Sequence, residues 1–245
     1  MAVYMNADIS YLAGDLEIAC NAKTAVFNAE CTALDSTGLC STGWTTLEAG
    51  LATAMFDITG MSDMAALGLD ATTWSQFATK DVVHSMSIGS ADGLPTYFMR
   101  GMSTSYTPID GQVGDLAGMR LAGRTSTGKM VRGVRAHPTN VARSSTGNGS
   151  GYQLGALSAT QSMFAALNVL DRTGTASMTL KVQSDDNSGF TTPTDRITSF
   201  TAATSRGYQW GSVAGAVTDD YWRVVYTITG TGTITFGASL GIAAT

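Results

Sequence analysis

The sequence predicts a mainly β protein on three observations. Apolar and polar residues alternate with period 2 along much of its length, Gly-rich turns interrupt that alternation, and only one segment carries a convincing helical signal. From the N-terminus, Leu16, Ile18 and Cys20 share one strand face. Val26 and Phe27 follow, and Asp35-Ser36-Thr37-Gly38 reads as a turn. Ala52, Ala54, Phe56 and Ile58 alternate with Thr53, Met55, Asp57 and Thr59, and Gly60 closes that strand. The short helix is expected near residues 70–79, with Asp70 able to cap it and Trp74 and Phe77 three apart on one face.

Val82, His84, Met86 and Ile88 make the next strand face, and Pro95 opens a longer strand. Residues 119–134 read as two strands around Thr125-Ser126-Thr127-Gly128. From Arg135 to Gly151 the composition becomes that of a loop, with His137-Pro138 and a run of Ser, Thr, Gly and Asn. It is either a boundary between halves at 1–135 and 152–245 or a long projecting loop, and the whole can still be one continuous domain. Residues 163–170 fit a helix or a strand equally. Ala176, Met178, Leu180 and Val182 alternate with polar neighbours, and 197–202 adds another strand. Residues 221–242 predict a terminal β-hairpin turning at Gly230-Thr231-Gly232.

Composition narrows the function classes. Of 245 residues only 13% are charged, about half the ~25% usual in soluble domains, while Gly stands at 28 and Pro at 4. So little charge suits a surface that copies or partners cover, and it also suits a soluble lectin-like sandwich. The net charge of −5 argues against standing attachment to nucleic-acid phosphates. Its distribution is polar. Residues 1–75 hold nine acids and one base, whereas no acid lies between Asp115 and Asp171, a stretch containing Arg120, Arg124, Lys129, Arg132, Arg135 and Arg143. Such asymmetry suits head-to-tail contact between copies. With Cys20, Cys31 and Cys40 at least one thiol is unpaired, no C-x-x-C occurs, and reduced cysteines are expected. Neither a secretory leader nor a run of ~18 apolar residues is evident, so a soluble protein without a membrane partner is expected.

Motifs that suggest chemistry are incomplete. Gly123 to Lys129 matches G-x-x-x-x-G-K, but Met130 stands where a phosphate loop needs Ser or Thr, and a strand pattern follows. Asp185-Asp186-Asn187-Ser188-Gly189 lacks the closing Glu of a calcium loop. Asp219 and Asp220 are adjacent at a strand entrance and point to opposite faces. His84 sits in an apolar strand and His137 before a proline, and no zinc spacing or nucleophile elbow is present. The expectation is a protein that is not an enzyme and holds no cofactor or metal.

A resemblance sharpens this. Leu34-Asp35-Ser36-Thr37-Gly38, Gly43-Trp44, Glu48-Ala49-Gly50-Leu51 and Ile58-Thr59-Gly60 come first. Ser105-Tyr106-Thr107-Pro108, Gly114-Asp115-Leu116-Ala117-Gly118 and Val131-Arg132-Gly133 follow. Leu154-Gly155-Ala156-Leu157, Val182-Gln183-Ser184-Asp185-Asp186 and Thr218-Asp219-Asp220-Tyr221-Trp222-Arg223 complete the order. In that order they resemble the major tail (tail tube) proteins of long-tailed bacteriophages. The resemblance implies a tail-tube-type β-barrel or β-sandwich with a short flanking helix and long loops. Copies would form rings, usually hexameric or else trimers of pseudo-six-fold symmetry, stacked into the conduit for genome delivery. It further implies location in the virion tail after assembly in the host bacterial cytoplasm. The implied partners are a tape-measure protein, a tail terminator and tail-tip or baseplate proteins, with double-stranded DNA passing through unbound.

Lumens of this family tend to be acidic, which makes Asp8, Asp15, Glu17, Glu30 and Asp57 candidate lining residues. Arg132, Arg135 and Arg143, at or near the 135–151 loop, are the candidates for reaching acids on a neighbouring copy. Two alternatives remain: a capsid decoration protein, and a carbohydrate- or receptor-binding sandwich using Trp44, Trp210 and Trp222.

Overall fold

The structure, a computed structural model, describes residues 9–18, 21–37, 44–66 and 68–244. Its elements in chain order are β1 (Ile9–Ala13), β2 (Leu16–Glu17), β3 (Ala22–Asp35), β4 (Leu47–Met61) and α1 (Leu69–Gln76). There follow β5 (Val82–Ile88), β6 (Pro95–Asp110), β7 (Gly118–His137), β8 (Ala142–Arg143), β9 (Gly147–Asn148) and β10 (Tyr152–Gln153). The chain ends with β11 (Gln161–Arg172), β12 (Ser177–Asp185), β13 (Thr194–Ile197), β14 (Gly207–Ala214), β15 (Tyr221–Thr229) and β16 (Ile234–Ala244). The mainly β expectation is met. No helix among the described residues is long and apolar enough to cross a membrane.

The larger sheet runs β14-β11-β16-β7-β6-β5-β1-β2, with β4 on β7, β3 on β4 and β8 on β16. The smaller runs β10-β15-β12-β13, with β9 on β15. The strand paths have free ends, so among the described residues the sandwich alternative holds and a closed barrel is not formed. The expected pair of strands in 119–134 is instead one 20-residue strand, β7. Its first part pairs with β4 through Gly118–Arg124, its end with β16 through Val134–His137, and β6 lies along its other side. The turn-like residues 125–128 mark the point where β7 changes partner, and Gly128 takes φ +76° there. The G-x-x-x-x-G-K segment is therefore strand, neither a phosphate loop nor a hairpin turn.

The terminal hairpin is a second correction. β15 pairs with β12 in the small sheet, whereas β16 pairs with β11 and β7 in the large one. Residues 230–233 arch between the sheets, tied to Thr173 and Thr175 by backbone bonds. The alternation is real: Trp222, Val224 and Tyr226 meet Ile234, Phe236, Ala238 and Leu240 across one core, with Tyr226 and Phe236 edge to face at 5.3 Å.

Residues 163–170 belong to β11, which is buried on both sides. Met163, Ala165, Leu167 and Val169 face the sandwich core, while Phe164 and Ala166 pack on Val83, Phe98 and Val131 of the N-terminal half. Asn168 on the same strand donates to the Gly14 and Val83 carbonyls at 2.6 and 3.1 Å. The N-terminal half has its own core of Tyr11, Ile18, Phe56, Ile58, Met99 and Leu121, closed by Leu69 of α1. Asp70 does not cap that helix: Gly68 is the N-cap, and Asp70 accepts from the Tyr106 hydroxyl at 3.0 Å. Trp74 and Phe77 stack at 5.9 Å as their spacing suggested.

The segment after β7 is not a projecting loop. β8 pairs with β16, β9 pairs with β15, and Gly149 N–H donates to Val224. The two halves therefore share one sheet across the β7–β16 seam, where a Cβ at Gly133 would stand 1.9 Å from the Leu240 carbonyl oxygen. Gly133→Ala is expected to cost about 3 kcal/mol or more through overpacking at that seam. Gly128→Ala, strained but with open space around it, should cost about 1 kcal/mol. Urea-unfolding midpoints of the two variants test this, and equal losses would contradict the seam.

Candidate functional site

The least supported part of the molecule is the β3–β4 hairpin. Among the described residues β3 pairs with β4 alone, and β4 pairs with β7 from Met55 to Met61. Residues 30–35 and 47–53 thus form a two-stranded ribbon that no third strand joins among the described residues, roughly 20 Å long at ~3.4 Å per residue. A bare two-stranded hairpin is marginally stable in water. This one also exposes large apolar groups: Leu34 is 52% exposed, Leu51 90% and Trp44, near its tip, 85%. Leu47 is exposed as well. Glu30, Asp35 and Glu48 lie on it, and no base occurs between Lys23 and Met61.

A second exposed apolar cluster caps the β6–β7 connection, where Ile109, Val113 and Leu116 stand beside Asp110 and Asp115. This connection lies where β4 ends, because Met61 is opposite Gly118 and the ribbon runs the other way. The two apolar projections therefore point in opposite directions along the large sheet.

A third feature lies over the seam. A groove of about 300 Å³ is lined by Pro95, Arg132, Val134, Gln153, Leu154 and Ile242. Gly133 and Gly241, with no side chains, let β7 and β16 approach and leave this notch. Arg132 is exposed and takes part in none of the ion pairs among the described residues.

The structure separates the three arginines grouped by sequence. Arg135 is fully buried on β7, with its Nε and Nη2 donating to Ser87 Oγ at 3.2 and 2.6 Å. Burial pulls its pKa down to about 10, against the opposing charge of Glu17. It cannot reach a neighbour. Arg143 turns inward too: its Nε donates to His137 Nε2 at 3.0 Å, and its guanidinium lies 5.9 Å from the Tyr226 ring centre. Of the three, Arg132 is the one left exposed.

The candidate acids divide likewise. Asp8 lies outside the described residues. Asp15 pairs with Arg206 at 3.4 Å, and Glu17 accepts from Ser10 and Thr139 at 2.8 and 3.3 Å, so both are held inside the fold. Asp57 pairs with Arg120 at 2.5 Å, whose hydrogen bond holds its carboxyl below the ordinary value. Glu30 is exposed on the ribbon and accepts from Asn28 Nδ2 at 2.7 Å. Asp219 and Asp220 engage different groups, Asp219 with Arg196 and Ser184 and Asp220 with Gln153. Asp185 orders its own turn by accepting from the Asn187 and Thr192 amides. Among the aromatic candidates Trp222 is buried, and Trp210 packs on Phe98 and Phe164 beneath Arg100. Only Trp44 is open.

Sequence reading passed over the ribbon leucines and the Ile109–Leu116 cluster. The available signal was Leu47 and Leu51, apolar residues four apart beside a turn where strand alternation predicts no buried partner.

Both histidines are packed. His84 Nδ1 is hydrogen-bonded to the Tyr11 hydroxyl at 2.7 Å and its ring stacks on Phe56 at 4.2 Å. His137 stacks on Phe236 at 3.8 Å and donates from Nδ1 to the Phe236 carbonyl. Burial lowers their pKa values to about 3 and about 4.

No family model matches the chain, and no curated protein matches it significantly. Among solved structures, a chain of the virion of a native gene transfer agent particle is 18% identical at TM-score 0.42, covering 51% of this chain and 96% of that one. The SPP1 tail tube is 10% identical at TM-score 0.41, covering 53% and 78%. The SPP1 Dit protein is 9% identical at TM-score 0.36, covering 96% and 99%. These are loose likenesses.

Arg135→Glu is expected to cost about 3 kcal/mol or more by burying a carboxylate beside Glu17. Arg132→Glu should leave the stability of the isolated chain within about 0.5 kcal/mol. Denaturant melts of both variants decide, and similar losses would contradict the assignment. Both histidines stay neutral when folded, whereas the unfolded chain takes up protons near pH 6.5. Stability is therefore complete above pH 6.5 and falls with decreasing pH toward the folded values, by about 1.4 kcal/mol per pH unit for each ring. Urea midpoints should drop between pH 7 and 4.5, and a His84→Asn, His137→Asn variant should flatten the slope. A wild-type midpoint constant over that range would refute it.

Proposed function

We propose that this chain is a structural subunit that polymerises with its own copies, serving as the tube subunit of a phage-type tail. The observation that carries self-assembly is the free-standing β3–β4 ribbon. A two-stranded element that leaves Leu34, Leu47 and Leu51 in water needs another surface, and the fold offers its own ribbon none. The apolar cluster at the opposite end and the polar charge distribution make the contact heterologous, the class that yields rings, stacks or filaments.

The tail assignment rests on the ordered sequence resemblance to tail tube proteins. On this reading hexameric rings, or trimers of pseudo-six-fold symmetry, stack into a hollow tube in the virion tail after assembly in the host cytoplasm. The tube encloses a tape-measure protein, ends on terminator and tip or baseplate proteins, and passes double-stranded DNA without binding it. A role without catalysis or cofactor is consistent with the two histidines being packed in cores and the paired aspartates being engaged in turns and ion pairs.

Electron microscopy and sedimentation of the purified protein at rising concentration test this. Rings or tubes are expected for wild type, and a Leu34→Ser, Leu47→Ser, Leu51→Ser variant should sediment as a folded single chain. A wild-type protein that stays single at every concentration would end the assembly reading. Discrete trimers that bind only to phage heads would instead favour decoration.

A further inference from the structure

Resting on the self-assembly reading, we propose that the ribbon of one copy seats in the seam groove of the next, with Leu34 in the notch and Glu48 against Arg132. The ribbon carries three acids and no base, and an apolar surface exposed to water. It therefore fits an apolar surface with a free cation at its rim. The groove has both properties: partly buried Pro95, Val134, Leu154 and Ile242 form its walls, and Arg132 stands at its edge.

The other large apolar projection, around Ile109, Val113 and Leu116, carries Asp110 and Asp115 and would repel an acidic ribbon. The remaining exposed bases on β7 fit less well. Arg120 is already held by Asp57, and Lys129 donates to the Ala244 carbonyl. Arg124 lies at the root of the same hairpin, paired across from Met55.

Register supplies the matching pair on the ribbon. Leu34 and Glu48 are directly opposite each other across β3 and β4, so both side chains leave the same face. Glu48 is exposed and enters none of the ion pairs among the described residues. One leucine and one free carboxylate on the ribbon thus meet an apolar notch and one free guanidinium. A volume of about 300 Å³ is ample for a leucine side chain. Because ribbon and groove are different surfaces of the same chain, each copy offers one and accepts the other, and the contact propagates.

The test combines charge exchange with trapping. Arg132→Glu and Glu48→Arg should each raise the protein concentration needed for assembly about tenfold, and the double variant should restore it toward wild type. On a Cys20→Ser, Cys31→Ser, Cys40→Ser background, a Leu34→Cys copy mixed with a Leu154→Cys copy should form a disulfide-linked pair under mild oxidation, and neither copy alone should do so. The trapped pair is the deciding readout, because it does not depend on how well the charge variants assemble. Assembly by wild type with no mixed disulfide overturns the groove assignment and leaves polymerisation standing. A wild-type chain that never assembles overturns both.

Discussion

Strand β7 is the constraint on which the rest of the structure depends. It is hydrogen-bonded to β6 along most of its length, to β4 near its start and to β16 at its end. A single strand can serve both halves only if it changes partner midway, and the Thr125–Gly128 segment, with Gly128 in the left-handed region, makes that change. The consequence is one sheet spanning two cores. A strand that releases β4 after Arg124 also leaves the distal β3–β4 ribbon without a neighbour. The seam and the ribbon are thus two results of one pairing decision.

Sequence alternation revealed which faces are buried far better than which strands pair. Trp222, Val224, Tyr226, Phe236, Ala238 and Leu240 are all core residues, as their period implies. Yet the strands that carry them belong to different sheets, because a glycine-rich link of four residues can close a hairpin or arch across a sandwich, and the alternation is identical in both. β11 shows the reverse limit. Its two faces bury Leu167 and Ala166 respectively, so no polar stripe exists to reveal the period, and helix and strand could not be distinguished.

The candidate site was legible only in part, and the reason is electrostatic. A sequence gives the number and order of charges but not which of them the fold neutralises. Arg132 and Arg135 are three apart on one strand, so their side chains leave opposite faces, one to water and one into the core. Asp15 and Glu17 belonged to the acidic N-terminal stretch, yet Arg206, Ser10 and Thr139 hold them. Among the charges that no ion pair of the described residues engages are Glu48 on the ribbon and Arg132 beside the seam.

That residue of unmatched features bears on function more than any single motif. Ion pairs within the chain and packed histidines serve the fold and leave nothing to be explained by a partner. A ribbon roughly 20 Å long that stands in water with leucines on both faces is different, because its own fold does not account for it. Either the ribbon frays in the isolated chain or another surface covers it, and in an assembled polymer the second outcome applies to every copy except those at the end. Stability of the ribbon is then a property of the assembly. Under the proposed assembly each copy orders its exposed ribbon on meeting the next, which makes growth at an existing end easier than starting a new one.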